Sequence, residues 1–265
     1  MTAEKNYLNI NRTSWNNRLE THLSSAFYDL QGFKQGRNSL TSIEMDFLGD
    51  VQEKKILHLQ CHFGQDTLSL ARMGAETTGA DLSDKAIEAA RALSSELGLS
   101  AQFICSDLYS LSEQLDRKFD MVYTSFGTIG WLPDIDQWVK VILHFLKPSG
   151  SFVFVDFHPV LWMFDDNFEK IIYSYFQRDA ILEEEAGSYA DRDAGFTTNT
   201  VTWNHSMSSV LNTLIENGFT IEKIKEYESS PFNCFRNTEE ISPGQFQITH
   251  LKDKLPMVYA LRARR

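Results

Sequence analysis

Four short clusters in this 265-residue chain carry residue types suited to binding chemistry. Gln60-Cys61-His62-Phe63-Gly64-Gln65-Asp66 joins a glycine to side chains that donate and accept hydrogen bonds, at the mouth of an apolar-faced helical pattern. Backbone N–H groups at a helix mouth face an anion, and the helix dipole favours it. Asp81 ends a second run 17 residues after Gly64, where a carboxylate can accept both hydroxyls of a ribose. Ser106-Asp107-Leu108 places another acid after a third run, and Ser125-Phe126-Gly127 closes a fourth. Singly, each has a plain structural use. Asp and Ser after a strand are ordinary turn and cap residues, Gly64 eases helix–strand packing, and His58 inside an apolar run suits a hydrogen-bonded core histidine. The order of the set carries the signal: a glycine after the first run, then acids ending the second and third.

The elements that must position these clusters are legible from periodicity. Ile56–Leu59, Thr77–Asp81, Gln102–Cys105, Phe119–Thr124 and Ser151–Val155 are strand candidates. Between them, Ala86, Ala90, Leu93 and Leu97 recur at helical spacing after a Ser83 cap and stop at Gly98. Trp138, Val141, Ile142, Phe145 and Leu146 mark another helix. Strand–helix alternation with such connections predicts an α/β fold with a doubly wound, mostly parallel sheet and helices on both faces. Ligands of such sheets bind beyond the carboxyl ends of the strands, where all four clusters fall. A helix is expected near Ser14–Leu30, offering Trp15 and Tyr28 as lid or packing residues, and a late helix carries Met207, Val210, Leu211, Leu214 and Ile215. Phe219–Tyr227 and Met257–Arg262 are the final strand candidates. Residues 158–205, rich in aromatics and acids, read as an insertion with strands near 170–177 and 196–203. The organisation expected is one domain over 1–265, with an N-terminal helical lid over 1–45 and a substrate-side insertion over 158–205.

Composition narrows the function classes. Apolar residues make up 42% and charged residues 23%, and the net charge is −11. An acidic chain is a poor partner for nucleic acid or an anionic membrane surface, whose recognition rests on basic faces. Cys61, Cys105 and Cys234 form no CxxC pair, as in a reducing, cytoplasmic setting. The N-terminal stretch has no apolar signal core, and no run reaches the ~20 apolar residues of a membrane span. Oligomeric state is not readable.

The stretch Ile56-Leu57-His58-Leu59-Gln60-Cys61-His62-Phe63-Gly64 resembles the first motif of the class I S-adenosylmethionine-dependent methyltransferases. Thr78-Gly79-Ala80-Asp81-Leu82-Ser83, Cys105-Ser106-Asp107-Leu108, Phe119–Ser125 and Leu146-Lys147-Pro148-Ser149-Gly150-Ser151 resemble the following motifs, in order, so that the likeness covers about residues 45–157. The segment HLQCHFGQDT is similar to a variant of the first motif in a bacterial subgroup. The family usually has Asp at the place of His58 and glycines at those of Gln60 and His62. The resemblance implies a seven-stranded sheet of order 3-2-1-4-5-7-6, with the seventh strand antiparallel, and S-adenosyl-L-methionine as cofactor. It implies that Asp81 holds the ribose diol, Leu82 lies beside the adenosine, Asp107 accepts from the adenine amino group and Leu108 donates its backbone N–H. Ser106 belongs to the same adenine segment. Gln60, Cys61, His62 and Gly64 would line the methionine end, with Ser125 and Phe126 near the sulfonium; Trp131 suits either a wall of the adenine or methyl donor or a core position.

A methyl sulfonium needs an in-line nucleophile, exclusion of water and, where a proton must leave, a base. His158, just past the fifth strand, and His205, before the late helix, are the base candidates, with Asp156 as a further one. Aromatics and Glu183–Glu185 in the insertion suit either a cation cradle or a folded cap with a solvated acidic loop. The expected function is methyl transfer to a small-molecule acceptor. A non-catalytic cofactor-sensing protein on the same scaffold is the alternative. A nicotinamide oxidoreductase is a further one, although GxGxxG is missing after the first strand. No metal site is expected, since His58 and His62 fall in a strand and a loop without an HExxH helix.

Overall fold

A computed structural model describes residues 4–265. Its centre is a seven-stranded sheet built from β1 (Lys55–Leu59), β2 (Glu76–Asp81), β3 (Ala101–Cys105), β4 (Phe119–Ser125), β5 (Leu146–Phe157), β8 (Thr220–Tyr227) and β11 (Val258–Arg264). The spatial order is β3-β2-β1-β4-β5-β11-β8. In this sheet β8 is the sixth strand and β11 the seventh, so the order is the expected 3-2-1-4-5-7-6. β1 through β5 pair in parallel, whereas β11 runs antiparallel to both β5 and β8.

Burial explains the alternation. Phe152, Val153, Phe154 and Val155 of β5 are fully buried on both faces of the sheet, as a continuous apolar run in a covered strand requires. α4 (Gln65–Arg72), α5 (Asp84–Leu97), α6 (Ile135–Phe145) and α7 (Met207–Glu216) supply most of the cover. α6 buries Trp138, Val139, Ile142 and Phe145 completely, each worth about 1.5–3 kcal/mol of transfer free energy. Ser83 caps α5 by accepting from the Ala86 N–H at 3.0 Å, and Gly98 ends it in the left-handed region.

The N-terminal segment folds as α1 (Tyr7–Ser24), α2 (Leu30–Lys34) and α3 (Ser42–Leu48). α1 starts earlier than the expected Ser14 and stops at Ser24, where Ser25 turns extended; Asp29, in a left-handed conformation, then opens α2 as its cap. Within the insertion, the structure corrects the strand expected near 170–177. Its apolar residues Ile171, Ile172 and Phe176 are exposed, and its one β-type pairing is the isolated bridge Phe164–Ile171. The hairpin instead joins β6 (Ile181–Ala186) to β7 (Thr197–Thr202), so the strand expected near 196–203 is present. A further hairpin, β9 (Thr238–Ser242) with β10 (Gln245–Ile248), had no counterpart in the sequence reading. Among the described residues no helix is long and apolar enough to cross a membrane.

Candidate functional site

The segment after β1 sets the site's geometry. Gln60 and His62 both adopt left-handed backbone, with φ of 55° and 50°. Each non-glycine residue there stores about 1–2 kcal/mol of strain. Gly64, at φ 81°, has no alternative: an added Cβ would lie 2.7 Å from the Phe103 ring. The strain is held in place by hydrogen bonds. The His62 N–H donates to Asp81 Oδ2 at 2.8 Å, and the Ser83 N–H donates to Asp81 Oδ1 at 2.8 Å. Gln60 Nε2 donates to the Thr128 carbonyl at 2.8 Å. Asp81 thus ties the end of β2 to the loop after β1 while each carboxylate oxygen keeps further accepting capacity. Burial raises its pKa, and the loop N–H bonds oppose that shift.

Two cavities open at the carboxyl ends of β1, β2, β3 and β4. The smaller, about 120 Å³, is lined by Asp81, Leu82, Ser106, Asp107 and Leu108. Asp107 caps the 3-10 turn after β3 by accepting from Ser110 N at 3.3 Å, and burial raises its pKa. Ser106 braces the floor, its hydroxyl donating to the Asp107 carbonyl at 2.8 Å. The larger cavity, about 800 Å³, is lined on the sheet side by Cys61, Gly64, Ser125 and Asp156. Gln60, His62, Phe126 and Trp131 line both. In this shared wall, two buried atoms have no partner: Gln60 Oε1 and His62 Nδ1. The structure therefore brings all eleven residues expected at a cofactor site to these two adjoining cavities.

The two histidines expected as bases are placed elsewhere. His158 sits against β8, with Nε2 3.1 Å from Glu226 Oε1 and Nδ1 accepting from the Val160 N–H at 3.2 Å. His205 Nε2 donates to the Leu132 carbonyl at 2.7 Å. Neither lines either of these two cavities. The nitrogens shown engaged bond to the Val160 N–H, the Leu132 carbonyl and Glu226, outside the two cavities in which the expected cofactor residues gather. Asp156 does line the larger cavity, but its carboxylate is filled by the N–H groups of Gly127, Thr128, Ile129 and Phe157. It shapes the turn after β4 and has no free capacity for proton transfer.

What the sequence reading missed is the polar inner face of α1. Arg18 is 2% exposed and His22 fully buried. His22 Nδ1 lies 2.8 Å from His62 Nε2, and its Nε2 lies 2.7 Å from Ser188 Oγ. Burial pushes the pKa of His22 down to about 2 and that of His62 to about 3, so both rings are neutral. Arg18 Nη2 donates to Glu185 Oε2 of β6 at 2.6 Å. Tyr28 and Tyr189 meet through their hydroxyls at 2.5 Å, and Asn11 exchanges two hydrogen bonds with the Val201 backbone. α1 and the β6–β7 hairpin are thereby stitched into one roof. Trp15 packs edge-on to Trp131 at 5.1 Å beneath it. The available signal was the spacing Asn11, Ser14, Arg18, His22, a polar face on a helix with no apolar stripe.

The insertion's aromatics divide. Trp162, Phe164, Tyr173, Tyr189 and Trp203 line the larger cavity, whereas Tyr175, Phe176 and Phe196 do not. The Arg18 guanidinium lies 5.3 Å from the Trp15 ring and 5.8 Å from the Trp131 ring, two aromatics outside the insertion.

Comparison with known proteins agrees with the fold described above. Residues 56–150 match a family described as "Methyltransferase domain". The ubiquinone biosynthesis O-methyltransferase of Photorhabdus laumondii subsp. laumondii is 26% identical over 136 residues, covering 50% of this chain and 56% of that protein. The chain thus spans little more than half the length of the curated relatives it matches. Among solved structures, geranyl diphosphate C-methyltransferase from Streptomyces coelicolor A3(2) superimposes with a TM-score of 0.62 at 13% identity, covering 98% of both chains. An S-adenosylmethionine-dependent methyltransferase from Mesorhizobium loti does so at 0.57 and 22% identity, covering 88% of this chain and 100% of that one. The chain has the Rossmann-like fold of these methyltransferases.

Proposed function

We propose that the protein is an S-adenosylmethionine-dependent methyltransferase that passes a methyl group to a small-molecule acceptor by in-line displacement. One observation carries this reading. A small cavity floored by two strand-end acids meets a large one at a wall where Gln60 Oε1 and His62 Nδ1 are buried without partners. Those atoms fit the amino acid end of the cofactor: Gln60 Oε1 accepts from an ammonium, and the strained loop exposes main-chain groups to a carboxylate. Asp81 has acceptor capacity for a ribose diol, and Asp107, with Ser106, Leu82 and Leu108 beside it, for an adenine amino group. Cys61 and Gly64 border the amino acid end, Phe126 lies where the two cavities join, and Ser125 precedes it in the wall of the larger one.

The cofactor supplies an electrophilic methyl group. The chain's own part is to align the acceptor and exclude water, which can lower a barrier by roughly 7–11 kcal/mol when alignment is good. Trp15, Tyr28 and Trp131 close the junction, and the α1–hairpin roof closes the cavity above it. An 800 Å³ cavity under the insertion lies within the usual range for ligand sites. It favours turnover over a non-catalytic cofactor sensor, which needs no acceptor space. The N-terminal lid and the insertion over 158–205 are read as the two halves of the substrate side. The acidic surface and three unpaired cysteines suit a cytoplasmic enzyme of metabolites.

A thermal-shift comparison tests the assignment. S-adenosylhomocysteine at 100 times its Kd should add about 2.7 kcal/mol of stability, and NAD at the same concentration should add none. Stabilisation by NAD alone would move the assignment to the oxidoreductase reading.

A further inference from the structure

Arg18 is the most deeply buried cation that lines the larger cavity, and its hydrogen-bonding capacity is mostly unspent. Its side chain is 2% exposed, its Nε is buried without a partner, and Nη2 has Glu185 as its one acceptor. A guanidinium carries five N–H donors in a planar fork that matches a carboxylate. A buried arginine left this incomplete is costly unless a ligand finishes the set. Glu185 is a weak competitor: its side chain is 42% exposed, and its other oxygen accepts from Thr200 Oγ1 at 3.1 Å. The rings of Trp15 and Trp131 fix the guanidinium from the side, so it is held in one orientation. Neighbouring Glu183 is engaged elsewhere, its carboxylate accepting from the Tyr173 hydroxyl at 2.9 Å.

We infer that Arg18 is a carboxylate-binding residue of the larger cavity, reading an anionic group that enters under the α1–hairpin roof. This rests on the proposed methyltransferase reading for the identity of its ligands. The carboxylate has two sources: the amino acid end of the cofactor, or an acid group on the acceptor. In either case the positive charge sits on the residue that also ties α1 to β6. Ligand arrival and roof closure therefore act on the same side chain.

The test compares wild type, Arg18→Gln and Glu185→Gln by calorimetry. The probes are S-adenosylhomocysteine, 5′-methylthioadenosine (which lacks the amino acid end), and 4-hydroxybenzoate against phenol. If the cofactor supplies the carboxylate, Arg18→Gln weakens S-adenosylhomocysteine by roughly 10- to 100-fold and leaves 5′-methylthioadenosine unchanged. If the acceptor supplies it, S-adenosylhomocysteine is unaffected and the preference for 4-hydroxybenzoate over phenol disappears. Glu185→Gln, which removes the internal competitor, should tighten whichever carboxylate binds. Equal affinities in Arg18→Gln and wild type for every probe would overturn the inference and leave Arg18 a strut for β6. The same holds if Glu185→Gln weakens carboxylate binding. Should wild type bind neither adenosyl compound, the methyltransferase reading fails, and the comparison of 4-hydroxybenzoate with phenol still decides the role of Arg18. Should Arg18→Gln not fold, the Glu185→Gln result decides alone.

Discussion

Replacing Gln60 by glycine separates the cost of the strained loop from its use. At φ 55° the backbone of Gln60 stores about 1–2 kcal/mol that glycine would release. Glycine's greater freedom in the unfolded chain takes back about 0.5–1 kcal/mol. The lost Nε2 bond to the Thr128 carbonyl costs about 0.5–1.5 kcal/mol more. These contributions nearly cancel, so the folding free energy of Gln60→Gly should stay within about 1 kcal/mol of wild type. Binding should not be spared. The variant loses Oε1, the unpartnered acceptor in the wall between the cavities, and with it a charge-assisted bond worth about 1.5–3 kcal/mol. Urea denaturation should therefore give an almost unchanged midpoint, while calorimetry with S-adenosylhomocysteine gives a Kd raised roughly 10- to 100-fold. A variant that is clearly destabilised yet binds with wild-type affinity would refute the claim that this residue is strained for the ligand's sake.

Gly64→Ala should lose about 2–4 kcal/mol of stability by denaturation, since its Cβ meets the Phe103 ring at 2.7 Å in a left-handed backbone. An unchanged midpoint would contradict the packing described. Acid lability should trace to the buried neutral histidines. Burial pushes the pKa of His22, His58 and His62 down to about 2, 3 and 3, whereas the unfolded chain takes up those protons near pH 6.5. Stability is thus full above about pH 6.5 and falls below it by about 1.4 kcal/mol per pH unit for each ring. Glu44, raised by burial to about 8, opposes this by binding its proton earlier in the folded state. Between pH 6.5 and 5.5, His58→Gln should lose about 1 kcal/mol less stability than wild type; equal losses would show that His58 is not held neutral. His158→Gln and His205→Gln should bind S-adenosylhomocysteine as wild type does, because both rings serve backbone and rim contacts. Loss of affinity in either would restore it to the site.

The sheet and the strand-end residues that line the two cavities were legible because their signals are local. Runs such as Phe152–Val155 announce a strand covered on both faces, and Asp81 and Asp107 stand where strands end. The left-handed conformations of Gln60 and His62 were foreseeable from the glycines that usually occupy such loops. The roof was not legible, for two physical reasons. β6 is written as Ile181-Leu182-Glu183-Glu184-Glu185-Ala186, where an acidic run masks a strand whose alternate side chains turn inward to Tyr173, Thr200 and Arg18. α1 was expected as a helix, but it buries a polar face, and no pattern of apolar residues shows that Arg18 and His22 turn inward to Glu185, Ser188 and His62, brought near only by the tertiary fold. His158 and His205 illustrate the converse: a position near a strand end does not aim a side chain, and both rings turned to local hydrogen bonds.

The central claim is that the two cavities hold an adenosyl cofactor with Asp81 as its ribose anchor. Calorimetric titration of wild type and Asp81→Asn with S-adenosylhomocysteine tests it most directly, with NAD as the control. Wild type should bind with micromolar affinity and ignore NAD, and the variant should lose about 100-fold in affinity. Failure of wild type to bind, or wild-type affinity in a folded Asp81→Asn protein, would contradict it.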